Sequence, residues 1–453
     1  MPISSYLGEG VADDGPFALG QDSNGFPTTL PLSMSDASDR SIQLSTFAAE
    51  QPVSCSLGRL GECLVLSIEC LEQFLTYKIL SLDGGGYRGY LAAMMLCELQ
   101  VAIDDQCKSK GLPPRSVLQC FGLLIGTSTG SLIAAALAVG MSCQQVARLF
   151  LEAGAKIFPR QSLADLFVKG ASGPLFDGVE LELALKSCLQ ETRLGGLATA
   201  LAITAYDPWN NRPLLFRSYE PSHGQIMIFD ACRASSAYPG GFPAHLLQEG
   251  PDTQEFFAQL QQSRSYFSYD HSCAQRDGIP LIDGGIAANN PSSIAVIERL
   301  TNPHLAAGAK EPVLVASFGT GQMPPEIPYG KARHQSALQW NGNLGNPLLE
   351  MMFVGSSRLA DDTCRALVGE ANYFRFQPVL LSDQLDRPFI TKNSVVRVNP
   401  AEMALFGGAT FQASSEVNGL FRRLCHDYFF DNTIAIDPDS PDQQLHRLAG
   451  LLL

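Results

Sequence analysis

Apolar runs of strand length alternate with longer runs of helical periodicity from residue 77 onward. The strand-like runs are YKILSL (77–82), CFGLLI (120–125), ALAITAYD (200–207), PLLFRSY (213–219), IPLI (279–282) and PVLVASFG (312–319). The helical runs cover residues 89–106, 131–139, 143–156 and 288–300. Alternation of this kind is typical of parallel strands covered by helices. The pattern therefore predicts a layered α/β fold with a mostly parallel sheet.

One segment, from residue 116 to residue 147, contains no charged side chain. Its central part, FGLLIGTSTGSLIAAALAVGM, has the length of a membrane span. The GTSTGS in the middle favours a turn, however, and strands covered on both faces are continuously apolar. We therefore expect a buried strand at 118–125, a sharp turn, and a buried helix at 131–139.

The two ends of the chain differ from this middle. Residues 1–70 form a leader rich in Gly, Ser, Pro and Asp, in which Arg40 is the only basic residue among the first fifty. Such a composition predicts a partly disordered segment. After residue 378 the periodic pattern weakens, and we expect the C-terminal extension (379–453) to be helical and to pack on or over the domain.

The composition disfavours several classes of function. Lys and Arg number 31 against 45 Asp and Glu, and the resulting net charge of −14 disfavours broad electrostatic binding to nucleic acid or to an anionic bilayer. The twelve cysteines form no C-x-x-C pair and no cluster at zinc spacing, which indicates free thiols in a reducing compartment. The N-terminal MPISSYLGEGVADDG lacks a Sec-type signal. These features favour a cytoplasmic protein and leave open peripheral membrane contact and delivery as a secreted effector.

A G-x-S-x-G pattern, Gly126, Ser128 and Gly130, lies between the predicted buried strand and helix. A serine at the tip of a strand-to-helix turn has a strained backbone, and the flanking glycines allow the strand and helix to approach closely. The hydroxyl then points into open space at the end of the sheet. We interpret Ser128 as a nucleophile, with an ordinary tight turn as the alternative.

A nucleophilic serine needs a base, and the sequence offers Asp283 in IPLIDGG, where a strand ends at an acidic residue followed by Gly284 and Gly285. None of the seven histidines, at 223, 245, 271, 304, 334, 426 and 446, has a context that singles it out. Because a free aspartate is a weak base, burial must raise its pKa or direct contact with Ser128 must compensate. The alternative is an aspartate that caps a turn.

A third glycine-rich motif, KILSLDGGGYRG, contains G-x-G-x-x-G at Gly84, Gly86 and Gly89. In a dinucleotide-binding fold this loop binds pyrophosphate, and an acidic residue about twenty positions further on binds the ribose. Asp104 and Asp105 lie near that distance but close a helical stretch. We therefore disfavour a dinucleotide site.

The three motifs occur in the order KILSLDGGGYRG, GTSTG and LIDGG, and together they resemble the patatin-like phospholipase family. Further stretches agree with the family pattern: ITAYDPWNNRPLLFRSY, RASSAYPGGFPAH, IDGGIAANNPSSIAV, VLVASFGTG and ANYFRFQP. The resemblance covers residues 77–378, with its motif core at 79–300. It implies a three-layer α/β/α patatin-like fold in that range.

The resemblance also implies a Ser-Asp dyad, with Ser128 as nucleophile and Asp283 as proton acceptor. The N–H groups of Gly84, Gly85 and Gly86 would form the oxyanion hole, and Arg88 matches a basic residue that helps to shape that loop. The remaining motif glycines, 89, 126, 130, 284 and 285, would support these groups. No metal or other cofactor is required.

The function expected on this basis is a lipid acyl hydrolase of the phospholipase A or lysophospholipase type, with membrane phospholipid or another acyl lipid as substrate. An acyltransferase on the same site stays open, as does an activating partner. A second hypothesis is a Ser-Asp-His esterase, completed by one of the later histidines at 304, 334, 426 or 446. A third is a catalytically idle regulatory or storage module of the same fold.

Overall fold

The computed structural model describes residues 76–159, 172–262, 278–305, 311–322, 327–336, 340, 347–378, 389–391, 394–396, 415–430 and 440–453. The leader predicted at 1–70 lies outside these residues, as does most of the range 379–414 in the C-terminal extension.

A central sheet carries the eight strands β1 (Tyr77–Leu82), β2 (Leu123–Gly126), β3 (Ala200–Asp207), β4 (Arg212–Arg217), β5 (His245–Gln248), β6 (Gly278–Asp283), β7 (Val313–Phe318) and β8 (Tyr373–Phe376). Their order is β5-β6-β3-β2-β1-β7-β8, with β4 paired to β3. The five strands from β3 to β8 along this order are parallel. Strands β4 and β6 run antiparallel to β3, and β5 runs antiparallel to β6. Two short strands, β9 (Phe389–Thr391) and β10 (Ser394–Val396), form a separate antiparallel pair.

The described helices are α1 (Gly89–Lys110), α2 (Thr129–Ala138), α3 (Cys143–Ile157), α4 (Val179–Leu189), α5 (Ile228–Ser235), α6 (Gln254–Gln262), α7 (Gly285–Ala288), α8 (Ser292–Thr301), α9 (Tyr329–His334), α10 (Pro347–Val368), α11 (Ser415–Phe430) and α12 (Pro441–Leu452). Among them, no helix is both long enough and apolar enough to cross a membrane. The apolar segment 116–147 instead forms a strand, a turn and two separate helices.

Alternate side chains along the strands pack into two separate hydrophobic cores, one on each face of the sheet. On β1, Leu80 and Leu82 pack into the larger core beneath helices α1 to α5, whereas Ile79 packs with Val296 of α8 and Cys364 of α10 on the opposite face. Successive side chains of a strand point to opposite faces, so a sheet apolar on both faces requires helices on both sides. The protein is therefore an α/β fold with helices on both faces of a mostly parallel sheet, as the sequence predicted.

Two sequence-based boundaries were wrong. The strand expected at 118–125 begins only at Leu123, because Leu118–Cys120 forms a 3-10 turn. The helix expected at 288–300 is split into α7 and α8. Pro291 lies between these helices, and a proline disfavours helical geometry at the residue before it.

The described C-terminal helices belong to the larger core. Phe421 and Leu424 of α11 and Leu448 of α12 are buried in it, and both helices contact α1. The Lys78 ammonium, at the start of β1, donates a hydrogen bond of 2.9 Å to the carbonyl oxygen of Leu452.

Gly130 has no room for a β carbon, because a Cβ at this position would lie 2.2 Å from the Leu82 carbonyl oxygen. We expect Gly130→Ala to destabilise the protein by about 1–3 kcal/mol, since the backbone atoms of β1 cannot move aside and the clash outweighs the better helix propensity of alanine. Urea unfolding measures the change. Gly173→Ala is the matched control, because a Cβ there meets no atom within 4 Å; an equal loss in both variants would contradict the steric explanation.

Candidate active site

Ser128 lies at the turn between β2 and α2, with φ 52° and ψ −123°. This left-handed backbone conformation is strained for any residue other than glycine. A Cβ on Gly126 would lie 2.3 Å from the Gly130 carbonyl oxygen, so the glycines on both sides of Ser128 are required by close backbone packing. The N–H of Ser128 donates to the Ser235 hydroxyl at 2.8 Å. The turn is thus a strained elbow that presents the Ser128 side chain, as the sequence predicted.

Asp283 ends β6 and is 2% exposed. Its carboxylate accepts a hydrogen bond of 2.8 Å from the Gly285 N–H and lies within hydrogen-bonding reach of Ser128. Burial raises the pKa of Asp283 to about 7, although these two hydrogen bonds act to lower it. A carboxylate with this pKa is a far better base near neutral pH than an ordinary aspartate.

Strand β6 is not one of the parallel strands. The sequence suggested an aspartate at the C-terminal end of a buried strand, and in the structure this strand runs antiparallel to β3 and pairs Asp283 with Ala205. Its carboxyl end still lies beside the carboxyl-terminal half of β3, because it enters the sheet from the opposite direction. Asp283 and Ser128 therefore meet at the same edge of the sheet.

The glycine loop (residues 84–86) follows β1 and lies next to the elbow. A Cβ on Gly84 would lie 2.5 Å from the Asn289 side-chain oxygen and 3.2 Å from the Ser128 Cβ, so only glycine allows this approach. The Gly84 N–H donates to the Asn289 carbonyl at 3.0 Å, and the Gly84 carbonyl accepts from the Thr320 hydroxyl at 2.9 Å. The Gly84 N–H is already hydrogen-bonded and so is not available to bind an oxyanion. Of the three expected oxyanion donors, Gly85 and Gly86 remain.

The other motif residues shape this region. Arg88 belongs to the 3-10 turn Gly86–Arg88, is largely buried and lines the same cavity as Ser128. A Cβ on Gly89 would lie 2.3 Å from the Thr129 hydroxyl, and one on Gly284 would lie 2.2 Å from the Thr204 hydroxyl. These glycines permit close packing of the segments that carry the three motifs.

A large cavity opens onto these groups and holds about 1430 Å³ of space, part of it open to solvent. Ser128, Asp283 and the glycine loop lie in its wall. One part of the wall is apolar and comes from three helices: Leu132 and Ala136 of α2; Val146, Phe150, Ile157 and Phe158 along and just after α3; Leu181, Ala184, Leu185 and Leu189 of α4. Tyr87, which follows the glycine loop, packs against the rings of Phe150 and Phe158.

No histidine in the described part of the chain lines this cavity. Of the four proposed as triad members, His304 lies near Glu220 and His446 near Asp442. His223 is buried elsewhere between Arg217 and Gln259, and its pKa is lowered to about 4 by burial and by Arg217. His271 lies outside the described residues. The geometry thus brings Ser128 together with Asp283 and with none of the described histidines.

Comparison with known proteins identifies the family of this chain. The sequence model of the patatin-like phospholipase family matches residues 80–296. Patatin-like protein 2 of Arabidopsis thaliana is 30% identical over 330 residues, which cover 66% of this chain and 75% of that protein. The chain belongs to the patatin-like phospholipase family.

Two further proteins found by comparison with this patatin-like chain are phospholipases by name. The cGAMP-activated phospholipase of Vibrio cholerae is 29% identical over 232 residues, which cover 49% of this chain and 57% of that protein. The human GIVD cytosolic phospholipase A2 structure is 13% identical and has a TM-score of 0.35, covering 87% of this chain and 64% of that one. That score is too low for the two sites to be aligned.

Five residues of this site were not singled out from the sequence, although all of them lie in motif stretches quoted above. Asn289 and Thr320 bind the backbone of Gly84, and Asp83, Asn290 and Arg375 lie beneath the loop. Asp104 and Asp105, considered for a ribose, lie in α1 and pair with Gln100 and Lys108. Among the described residues no group of three or more His, Cys, Asp or Glu forms a metal site.

The raised pKa of Asp283 predicts a pH-dependent effect on stability. Because the native state holds this proton up to about pH 7 and the unfolded state releases it near the ordinary value of 3.8, the contribution of Asp283 to the free energy of unfolding falls as the pH rises between these values. We expect Asp283→Asn to gain roughly 2 kcal/mol relative to wild type between about pH 5 and about pH 8. Urea unfolding of both proteins measures this; a constant difference across that range would contradict the raised pKa.

Proposed function

We propose that the chain is a lipid acyl hydrolase of the phospholipase A or lysophospholipase type, which cleaves carboxyl esters through a Ser128–Asp283 dyad. The observation that carries this proposal is a buried carboxylate with its pKa raised to about 7, within reach of a strained serine in the wall of a largely apolar cavity. Family membership supports the same chemistry. A base matched to neutral pH and a nucleophile next to it are the two groups that acyl transfer requires.

In the first half-reaction Asp283 accepts the Ser128 proton as Oγ bonds to the ester carbonyl carbon. The carbonyl oxygen becomes an oxyanion, and in this proposal the N–H groups of Gly85 and Gly86 stabilise it. When the tetrahedral intermediate collapses, the ester C–O bond breaks and Asp283 returns the proton to the departing alcohol. An acyl-enzyme on Ser128 remains.

In the second half-reaction Asp283 takes a proton from a water molecule, whose oxygen attacks the acyl carbonyl. A second oxyanion forms in the same place, and its collapse releases the fatty acid while Asp283 returns the proton to Ser128 Oγ. If an alcohol took the place of water, the product would be a new ester. Release of free fatty acid in the absence of added alcohol therefore distinguishes the proposed hydrolase from an acyltransferase.

The shape of the cavity supports a long acyl chain as the occupant. Its apolar wall begins at Ser128 and continues along α2, α3 and α4, which contribute aliphatic and aromatic side chains rather than charges. Each buried methylene group of a substrate chain contributes about 0.8 kcal/mol. We propose membrane phospholipid or a related acyl lipid as the substrate, reached by peripheral contact with the bilayer. If the purified protein hydrolyses no acyl lipid, we propose that it requires an activator.

The dyad predicts labelling by a fluorophosphonate probe that depends on both residues. We expect Ser128→Ala to abolish labelling and Asp283→Asn to slow it by at least about 100-fold. In the wild type, the labelling rate should rise as the pH passes about 7 and level off above it, because Asp283 acts only when deprotonated. Separate replacement of His304, His334, His426 and His446 by Gln is the control. A histidine variant as slow as Asp283→Asn would show a triad instead of a dyad.

The cavity predicts a chain-length effect that leaves the chemistry intact. Ala184 lines the apolar wall on α4, so Ala184→Phe should lower kcat/KM for a hexadecanoyl ester by at least about tenfold and leave a butanoyl ester within about twofold. Ser187→Phe, on the exposed side of the same helix, should leave kcat/KM unchanged for both esters. Equal losses for both esters in Ala184→Phe would mean that the long chain does not occupy this wall.

A further inference from the structure

A polar cluster, buried except for the partly exposed Asp361, lies beneath the glycine loop. Its members are Asp83, Asn290, Ser317, Asp361, Tyr373 and Arg375. Arg375 lies on β8, which β7 separates from β1, and its side chain crosses β7 to reach Asp83 at the end of β1. Arg375 and Asp361 both lie C-terminal to the region that the family model matches.

The contacts of Arg375 fix the orientation of Asp83. Its Nη1 donates to Asp83 Oδ1 at 2.8 Å and its Nη2 to Asp83 Oδ2, so the two side chains meet in a bidentate pair. Nη1 also donates to Ser317 Oγ at 2.8 Å, and Nε lies 3.3 Å from Asp361 Oδ1. Burial raises the pKa of Asp83 to about 6, whereas the two carboxylates raise the pKa of Arg375 above its ordinary value.

The cluster connects the two loops on which the proposed chemistry depends. Asp83 immediately precedes Gly84, so its position sets where the glycine loop begins. At the other side, the Asn290 amide donates to Asp361 Oδ1 at 3.2 Å, and the neighbouring Asn289 carbonyl accepts from the Gly84 N–H. Asn289 and Asn290 belong to the segment that follows Asp283. One network therefore holds the loop of the oxyanion donors and the segment that follows the base.

Stability alone does not account for such a cluster. A buried ion pair is rarely more stabilising than apolar side chains of similar volume, because both charges lose their hydration. A planar guanidinium with several fixed donors does, however, define the geometry of what it binds more narrowly than apolar contacts do. A loop whose N–H groups must be in place before the oxyanion forms benefits from that constraint.

We propose that Arg375 is a positioning residue for the reaction: through Asp83 it holds the glycine loop so that the Gly85 and Gly86 N–H groups are aimed at the oxyanion. This inference rests on the proposed hydrolase function. Arg375 is not among the residues that line the cavity, and Asp361 acts as its second anchor. The hydrolase domain therefore extends functionally to β8.

The test compares Arg375→Lys with Arg299→Lys in the full chain, using a soluble nitrophenyl butanoate ester. Arg299 is the matched control because it is equally buried, pairs with Glu311 at 2.7 Å and stacks on the ring of Tyr77, at the opposite end of β1. We expect Arg375→Lys to lower kcat by about 10- to 100-fold with KM within about twofold, because lysine keeps the positive charge but cannot form the bidentate pair with Asp83. Arg299→Lys should lose stability and keep kcat within about twofold.

Asp361→Asn provides a second, milder variant, because it keeps the Asp83–Arg375 pair and removes only the outer carboxylate. We expect its kcat to fall by about three- to tenfold, with the pH midpoint set by Asp283 unchanged. Wild-type kcat in every Arg375 and Asp361 variant that folds would overturn the proposal, and so would an equal kcat loss in Arg299→Lys. Ser128→Ala distinguishes failure of the proposed dyad from failure of the positioning role. If Ser128→Ala keeps its activity, the proposed dyad is wrong. If Ser128→Ala is inactive and Arg375→Lys is fully active, only the positioning role of Arg375 is overturned.

Discussion

The burial of the Asp283 carboxylate is the constraint on which the rest of the site depends. Burial gives this group a pKa near 7, and only the Ser128 hydroxyl and the Gly285 N–H oppose the shift. A guanidinium bonded to Asp283 would remove its basicity. The fold also buries the guanidinium of Arg375, but pairs it with Asp83 and Asp361. Segregation of these charges keeps one carboxylate basic while another anchors a loop.

The sheet brings these groups together with little space to spare. Strands β1 and β2 place the glycine loop and the Ser128 elbow side by side at their carboxyl ends, and β6 delivers Asp283 to the same edge from the opposite direction. The close approach depends on missing β carbons, since a Cβ at Gly84, Gly126 or Gly130 would lie within 2.5 Å of a neighbouring atom. The motif glycines are thus a steric requirement of bringing three chain segments to one point.

Features with a local cause could be predicted from the sequence. Strand β3 was predicted with its observed bounds, and the elbow at Ser128 follows from an apolar strand, two glycines and an apolar helix. Features decided by distant partners could not. The direction of β6 is set by its pairing with β3, the Gly84 N–H is taken by Asn289, and Asp83 finds Arg375 at a separation of 292 residues. The split at Pro291 was visible in the sequence but was outweighed by the apolar period around it.

The position of Tyr87 links the support of the glycine loop to the shape of the cavity, two properties that could otherwise change independently. Its ring supports the turn after the glycine loop and packs on Phe150 and Phe158, which also line the cavity. Trimming either phenylalanine to admit a bulkier lipid would loosen the loop and slow the chemistry. No aromatic neighbour of Tyr87 in the described chain belongs to α4. Divergence in substrate range among related chains is therefore expected to concentrate on the α4 wall, where a change in shape does not disturb the ring contacts of Tyr87.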